Sequence, residues 1–120
     1  MGKRILIVDD SPFIRSLAKE LLSPSGYEIA GEAVNGNEAI QKYTALKPDL
    51  VLMDLKMDQM NGFSAAKKIL SQFPDARIIM VTSYGTKEII VNSMLLGIKD
   101  FLIKPFEVPR FLSAVENALR

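Results

Sequence analysis

The chain has 120 residues, 48% of them apolar and 24% charged, with a formal net charge of +1. That is one ordinary globular domain, long enough to bury roughly two-thirds of its unfolded surface, and its near-neutral balance supplies no field to draw nucleic acid or an anionic membrane. There is no cysteine and no histidine, which excludes disulfides, thiol nucleophiles, thiolate and imidazole metal ligands and phosphohistidine on this chain, leaving carboxylates, hydroxyls, lysine and backbone.

The opening MGKRILIVDD has four apolar residues before two aspartates, too few for a signal-peptide core. Leu6 stands where a myristoylation motif needs Ser or Thr, and no apolar run approaches membrane-spanning length. The expectation is a soluble, cytoplasmic protein.

Strand and helix patterns alternate five times. RILIV is an apolar, β-branched run suited to a strand buried on both faces. Ser11 and Pro12 predict a helix start, as N-cap and first helical residue. Ile14, Leu17, Ala18, Leu21 and Leu22 follow at helical spacing, with Gly26 past the end. YEIAGEA alternates as an edge strand does. Asn35-Gly36 turns into a helix with Ala39, Ile40, Tyr43 and Leu46 on one face, broken at Pro48-Asp49. LVLMD is the third strand, and GFSAAKKILSQF is a helix stopped by Pro74. RIIMVT, KEIIVNSMLLG, FLIK and PRFLSAVENALR complete the alternation as strand, helix, strand and helix. No linker or repeat interrupts it, so residues 1–120 read as one α/β domain. The pattern predicts a doubly wound parallel sheet with helices on both faces. A ligand site is then expected outside the carboxyl ends of the strands.

That edge collects chemistry. The first strand delivers Asp9-Asp10, the third Asp54, the fourth Thr82-Ser83, and the fifth Lys104-Pro105. Singly, each has an ordinary explanation: helix capping for Asp9 and Asp10, strand-end hydrogen bonding for Thr82, a solvated surface charge for Lys104. Together they conflict with electrostatics, because clustered carboxylates repel and one must stay protonated unless cations intervene. Lys104 supplies one positive charge against three negative ones, and the balance calls for a divalent metal. Oxygen-only donors favour Mg2+ or its close relative Mn2+. Magnesium at such a site commonly works with phosphate, and a carboxylate can be the nucleophile, forming an acyl phosphate. Asp54 is the candidate acceptor, with Asp9 and Asp10 beside it for the metal and Lys104 and the Thr82 hydroxyl for phosphoryl oxygens.

ILIVDDS, LVLMDLKMDQMNG, IIMVTS and FLIKPF, in this order, resemble the signature blocks of a two-component response-regulator receiver domain, and within that family the single-domain chemotaxis regulators. The resemblance covers essentially the whole chain. It implies a five-stranded (βα)5 sheet of flavodoxin-like order 2-1-3-4-5, which sets strands one and three side by side. It further implies that Asp54 accepts phosphate from the phosphohistidine of a sensor kinase, in a switch that catalyses its own phosphorylation and dephosphorylation. Asp9, Asp10, Asp54 and the Lys56 carbonyl would bind Mg2+, and Lys104 would contact the acyl phosphate. The peptide before Pro105 would be cis. Thr82 would move toward the phosphoryl group while an aromatic at Phe101 rotates inward, reshaping a helix 4–strand 5–helix 5 face for a downstream target protein.

Some positions depart from the family pattern or vary within it. Asp58 replaces a usual proline, Phe101 lacks a tyrosine hydroxyl, and Lys56 and Tyr84 flank the acceptor where they would shield it from water. Helix four carries more apolar residues than one buried stripe needs; most are core, while Leu95 and a neighbour are expected outside, where a partner or weak dimer contact would fit. A haloacid-dehalogenase-type phosphatase would need its two aspartates separated by one residue, and an FMN carrier a glycine- and hydroxyl-rich loop in place of DDSPF. A receiver cut from a DNA-binding regulator would look the same as a stand-alone one.

Overall fold

The computed structural model describes residues 2–57 and 60–120. The elements in order are β1 (Arg4–Val8), α1 (Pro12–Leu22), β2 (Glu28–Ala33), α2 (Gly36–Leu46), β3 (Leu50–Asp54), α3 (Gly62–Gln72), β4 (Ile78–Thr82), α4 (Lys87–Leu96), β5 (Asp100–Ile103) and α5 (Val108–Ala118). The five strands form one parallel sheet in the order β2-β1-β3-β4-β5, as the resemblance implied.

The uninterrupted apolar runs of the central strands are explained by burial on both sides. Leu6, Val8, Val51, Met53, Ile78, Met80 and Phe101 face one core, closed by Ala39 and Tyr43 of α2 and by Ala65, Ala66 and Ile69 of α3. Their neighbours Ile5, Ile7, Leu50, Leu52, Ile79, Val81 and Leu102 face the other, closed by Ala18 and Leu22 of α1 and by Phe111, Ala114 and Val115 of α5. Period-two alternation is therefore present, but both phases are apolar. Burial of the largest of these side chains is worth about 1.5–3 kcal/mol each.

Local signals set the helix starts. Ser11 Oγ accepts from the Ile14 amide, Asn35 Oδ1 from Glu38, Asn61 Oδ1 from Ser64, and Thr86 Oγ1 from Ile89, each satisfying a donor that the first turn leaves open. Some boundaries differ from the sequence expectation. Helix α1 ends at Leu22, and Ser23–Ser25 form a 3-10 turn before Gly26, whose φ of 85° is the left-handed conformation glycine tolerates. Strand β5 starts at Asp100 and ends before Lys104, which lies in the following turn.

Helix α4 differs more. Only Ser93 is fully buried on it, and its Oγ has no hydrogen-bond partner among the described residues. Ile89, Ile90 and Leu96 pack on the core, while Val91, Met94 and Leu95 are exposed, Leu95 by 80%. The expectation that Leu95 and a neighbour face outward holds; the expectation that most of the apolar residues are core is corrected to half of them. No helix is long and apolar enough to cross a membrane among the described residues.

Candidate functional site

The parallel ladder aligns the strand ends. Val8 is opposite Met53, which sets Asp9 beside Asp54 in register, and Asp54 is opposite Val81, one residue before Thr82. The ladder is extended by the Asp9 amide donating to Ala33 O at 3.0 Å, the Leu55 amide to Val81 O at 2.8 Å, and the Lys104 amide to Thr82 O at 2.8 Å. Asp9, Asp54 and Thr82 are buried, at 3%, 4% and 1% exposure, whereas Asp10 is exposed at the rim. One carboxylate oxygen from each of Asp9, Asp10 and Asp54 lies within 4.8 Å of the others.

Lys104 is not a solvated surface lysine. Its Nζ is 2.7 Å from Asp9 Oδ2 and 3.3 Å from Asp54 Oδ1, on a side chain 14% exposed. Burial lowers its affinity for the proton, but the Asp9 hydrogen bond and the charges of Asp54 and Asp9 outweigh that and hold it above the ordinary lysine range. One ammonium does not balance the site. Burial, then the Asp9 charge and more weakly that of Asp10, push the Asp54 carboxyl up to about 6 despite Lys104.

A cleft of about 220 Å³ lies over these groups, lined by Asp10, Asp54, Thr82 and Lys104, with Lys56 and Tyr84 on its wall. The Lys56 ammonium sits 5.0 Å from the Tyr84 ring centroid, a cation–π contact at the mouth. Thr82 Oγ1 accepts from the Tyr84 amide at 3.2 Å. The Lys104-Pro105 peptide is cis. Phe101 is already turned inward, 8% exposed. Asp58 lies outside the described residues.

The donor set suits a hard divalent cation: three carboxylates converge, two of them buried, and the sequence has no histidine or cysteine. The capping reading of Asp9 is also partly true, since its Oδ1 accepts from the Ser11 amide at 2.9 Å. Ser11 itself, not an aspartate, caps α1.

Two supporting residues escaped the sequence reading. A Cβ on Gly62 would stand 2.1 Å from the Asp54 carbonyl oxygen, so only glycine lets the start of α3 close against the end of β3, where the Gly62 amide donates to Leu55 O. The Asn-Gly of QMNG was the available signal. Arg15 donates from Nη1 to the Asp9 carbonyl at 2.7 Å, a contact across a turn that helical periodicity does not encode.

A 2-1-3-4-5 sheet with three acids and a lysine at its carboxyl edge defines a class. The chain belongs to the response regulator receiver domain family, whose profile matches residues 5–116. It is 46% identical over 117 residues to the chemotaxis protein CheY of Thermotoga maritima, covering 98% of each chain, and 42% identical over 119 residues to CheY of Bacillus subtilis, covering 99% of each. Among solved structures it is similar to a chain of the CheX–CheY–BeF3–Mg2+ complex of Borrelia burgdorferi, with a TM-score of 0.95 at 28% identity over 98% of this chain and 90% of that one. This chain is therefore a CheY-like receiver domain, and neither the phosphatase nor the FMN-carrier alternative survives.

Proposed function

We propose that residues 1–120 act as one receiver unit in which Asp54 accepts a phosphoryl group from the phosphohistidine of a sensor histidine kinase. A carboxylate oxygen of Asp54 attacks phosphorus, the P–N bond breaks, and the imidazole leaves with the electron pair and takes up a proton. The acyl phosphate is later lost when water attacks phosphorus, releasing inorganic phosphate and the carboxylate. The protein thus catalyses its own modification and its reversal.

Asp9, Asp10, Asp54 and the Lys56 carbonyl would hold Mg2+, which would neutralise phosphoryl oxygens when bound. Lys104 binds one phosphoryl oxygen after leaving Asp9, and the Thr82 hydroxyl binds another. Lys56 and Tyr84 screen the group from water. Modification biases the α4–β5–α5 face, where Leu95 and Ile103 are exposed, toward a downstream target protein. The reading is of a cytoplasmic, stand-alone chemotaxis-type regulator, monomeric or weakly dimeric, that binds neither nucleic acid nor membrane. It is supported by near full-length similarity to two CheY proteins and by the beryllium fluoride and magnesium present in the Borrelia complex.

The observation that carries this reading is the convergence of Asp54 with two more acids and one lysine in a site whose charge is unbalanced. Intact-mass spectrometry after incubation with acetyl phosphate tests it. A Mg2+-dependent gain of one phosphoryl group, absent from Asp54→Asn, is expected. Failure to gain the group, together with failure to bind beryllium fluoride and Mg2+, overturns it.

A further inference from the structure

The β1–α1 turn carries two of the three acids, and every polar atom of Asp9 is engaged. Its amide donates to Ala33 O, Oδ1 accepts from the Ser11 amide, Oδ2 accepts from Lys104, and its carbonyl accepts from Arg15 Nη1. That carbonyl belongs to the peptide joining Asp9 to Asp10, so its direction sets how both carboxylates face the cleft. Arg15 does not reach it freely. Its Nε donates to Glu32 Oε1 at 2.9 Å, and Glu32 Oε2 also accepts from Lys19 Nζ at 3.0 Å. Glu32 lies on β2 opposite Ile7 of β1, and Lys42 binds its carbonyl. The Lys19 and Arg15 contacts hold the Glu32 carboxyl below its ordinary range against burial, so it stays charged.

We propose that Arg15, aimed by Glu32, is a positioning residue of the acidic site: it holds the Asp9–Asp10 peptide in the orientation that presents both carboxylates to a divalent cation. This rests on the metal-binding reading above. Charge pairing alone does not account for the arrangement, because Lys19 already gives the Glu32 carboxylate a cationic partner at 3.0 Å. Direction does: the guanidinium is a planar fork whose Nε and Nη1 leave at a fixed angle, one arm to β2 and the other to the turn. Lysine keeps the charge and cannot span both acceptors. A positive charge near the site repels a cation, so charge and geometry predict opposite effects of removing it.

Mn2+ alone is the probe, titrated into the full chain and monitored by the electron paramagnetic resonance of free Mn2+, for wild type, Arg15→Lys and Arg15→Met. Both variants are expected to bind Mn2+ roughly 10- to 20-fold more weakly, the lower part of the range for supporting partners of metal ligands. Thermal unfolding of each metal-free chain confirms that the titrated protein is folded. In the metal-free chains, amide exchange at Asp9 and Ser11 is expected to quicken several-fold while the Val8 amide is unchanged. Unaltered affinity in Arg15→Lys, or tighter binding in Arg15→Met, would overturn the proposal and leave Arg15 a source of field only. If wild type itself fails to bind Mn2+, the metal reading falls, and exchange at Asp9 and Ser11 then decides the role of Arg15 alone: unchanged rates refute it.

Discussion

The Lys104 ammonium stands closer to Asp9, at 2.7 Å, than to Asp54, at 3.3 Å. Without a cation, the lysine thus neutralises chiefly Asp9, a proposed metal ligand, rather than Asp54, proposed as both ligand and acceptor. Lysine and a divalent ion compete for the same carboxylate. Lys104→Met is therefore expected to bind Mg2+ more tightly, by about tenfold for roughly 1.4 kcal/mol of relieved repulsion, while losing accumulation of the acyl phosphate. Calorimetric Mg2+ titration and intact mass after acetyl phosphate give the two readings; weaker Mg2+ binding would refute the competition.

The raised Asp54 carboxyl gives stability a sign with pH. Its pKa is about 6 in the fold against about 3.9 in an unfolded chain. Between these values the folded state holds a proton that the unfolded state has released, so metal-free stability falls as pH rises from about 4 to 6. Asp54→Asn removes this dependence and is expected to be more stable at pH 7 by roughly 1–3 kcal/mol. Urea unfolding of both chains across that range checks it. Mg2+ affinity should rise over the same window, because the cation needs the ionised form.

Gly62 is the residue that lets α3 begin against the end of β3, and the obstacle to a side chain there is backbone: the Asp54 carbonyl oxygen, 2.1 Å from an added Cβ. Gly62→Ala is expected to destabilise the fold by at least about 2 kcal/mol, the scale of overpacking in a rigid core, and to impair phosphoryl acceptance beyond the loss of folded protein. Denaturant titration and intact mass on the folded fraction separate the two effects. A neutral outcome would mean that the loop yields.

The Lys56–Tyr84 contact spans the mouth of the cleft at 5.0 Å. An exposed cation–π pair is worth about 0.5–1 kcal/mol, so Tyr84→Ala is expected to speed loss of the phosphoryl group by roughly two- to fivefold, with Lys56→Ala acting in the same direction. Decay of the phosphorylated mass after donor removal measures this. An unchanged rate in both variants would show that the pair does not screen Asp54.

Sequence by itself determined the alternation of elements, the helix caps and which polar residues stand at the carboxyl ends of the strands. These are encoded locally: Ser11, Asn35, Asn61 and Thr86 each bond an amide three residues on, and strands buried on both faces must be apolar in both phases. A carboxylate at the end of such a strand is conspicuous because so little else there is polar. Only the tertiary structure decided how the charges pair. Lys104 and Asp9 are separated by 95 positions, and no periodicity reports which acid a lysine reaches once five strands are in register. The same holds for Arg15, whose two acceptors come from a turn and a neighbouring strand, and for α4, whose apolar sequence does not reveal that half of its large side chains remain outside. Local signals set which residues reach the edge of the sheet; long-range packing and electrostatics set what each one touches there.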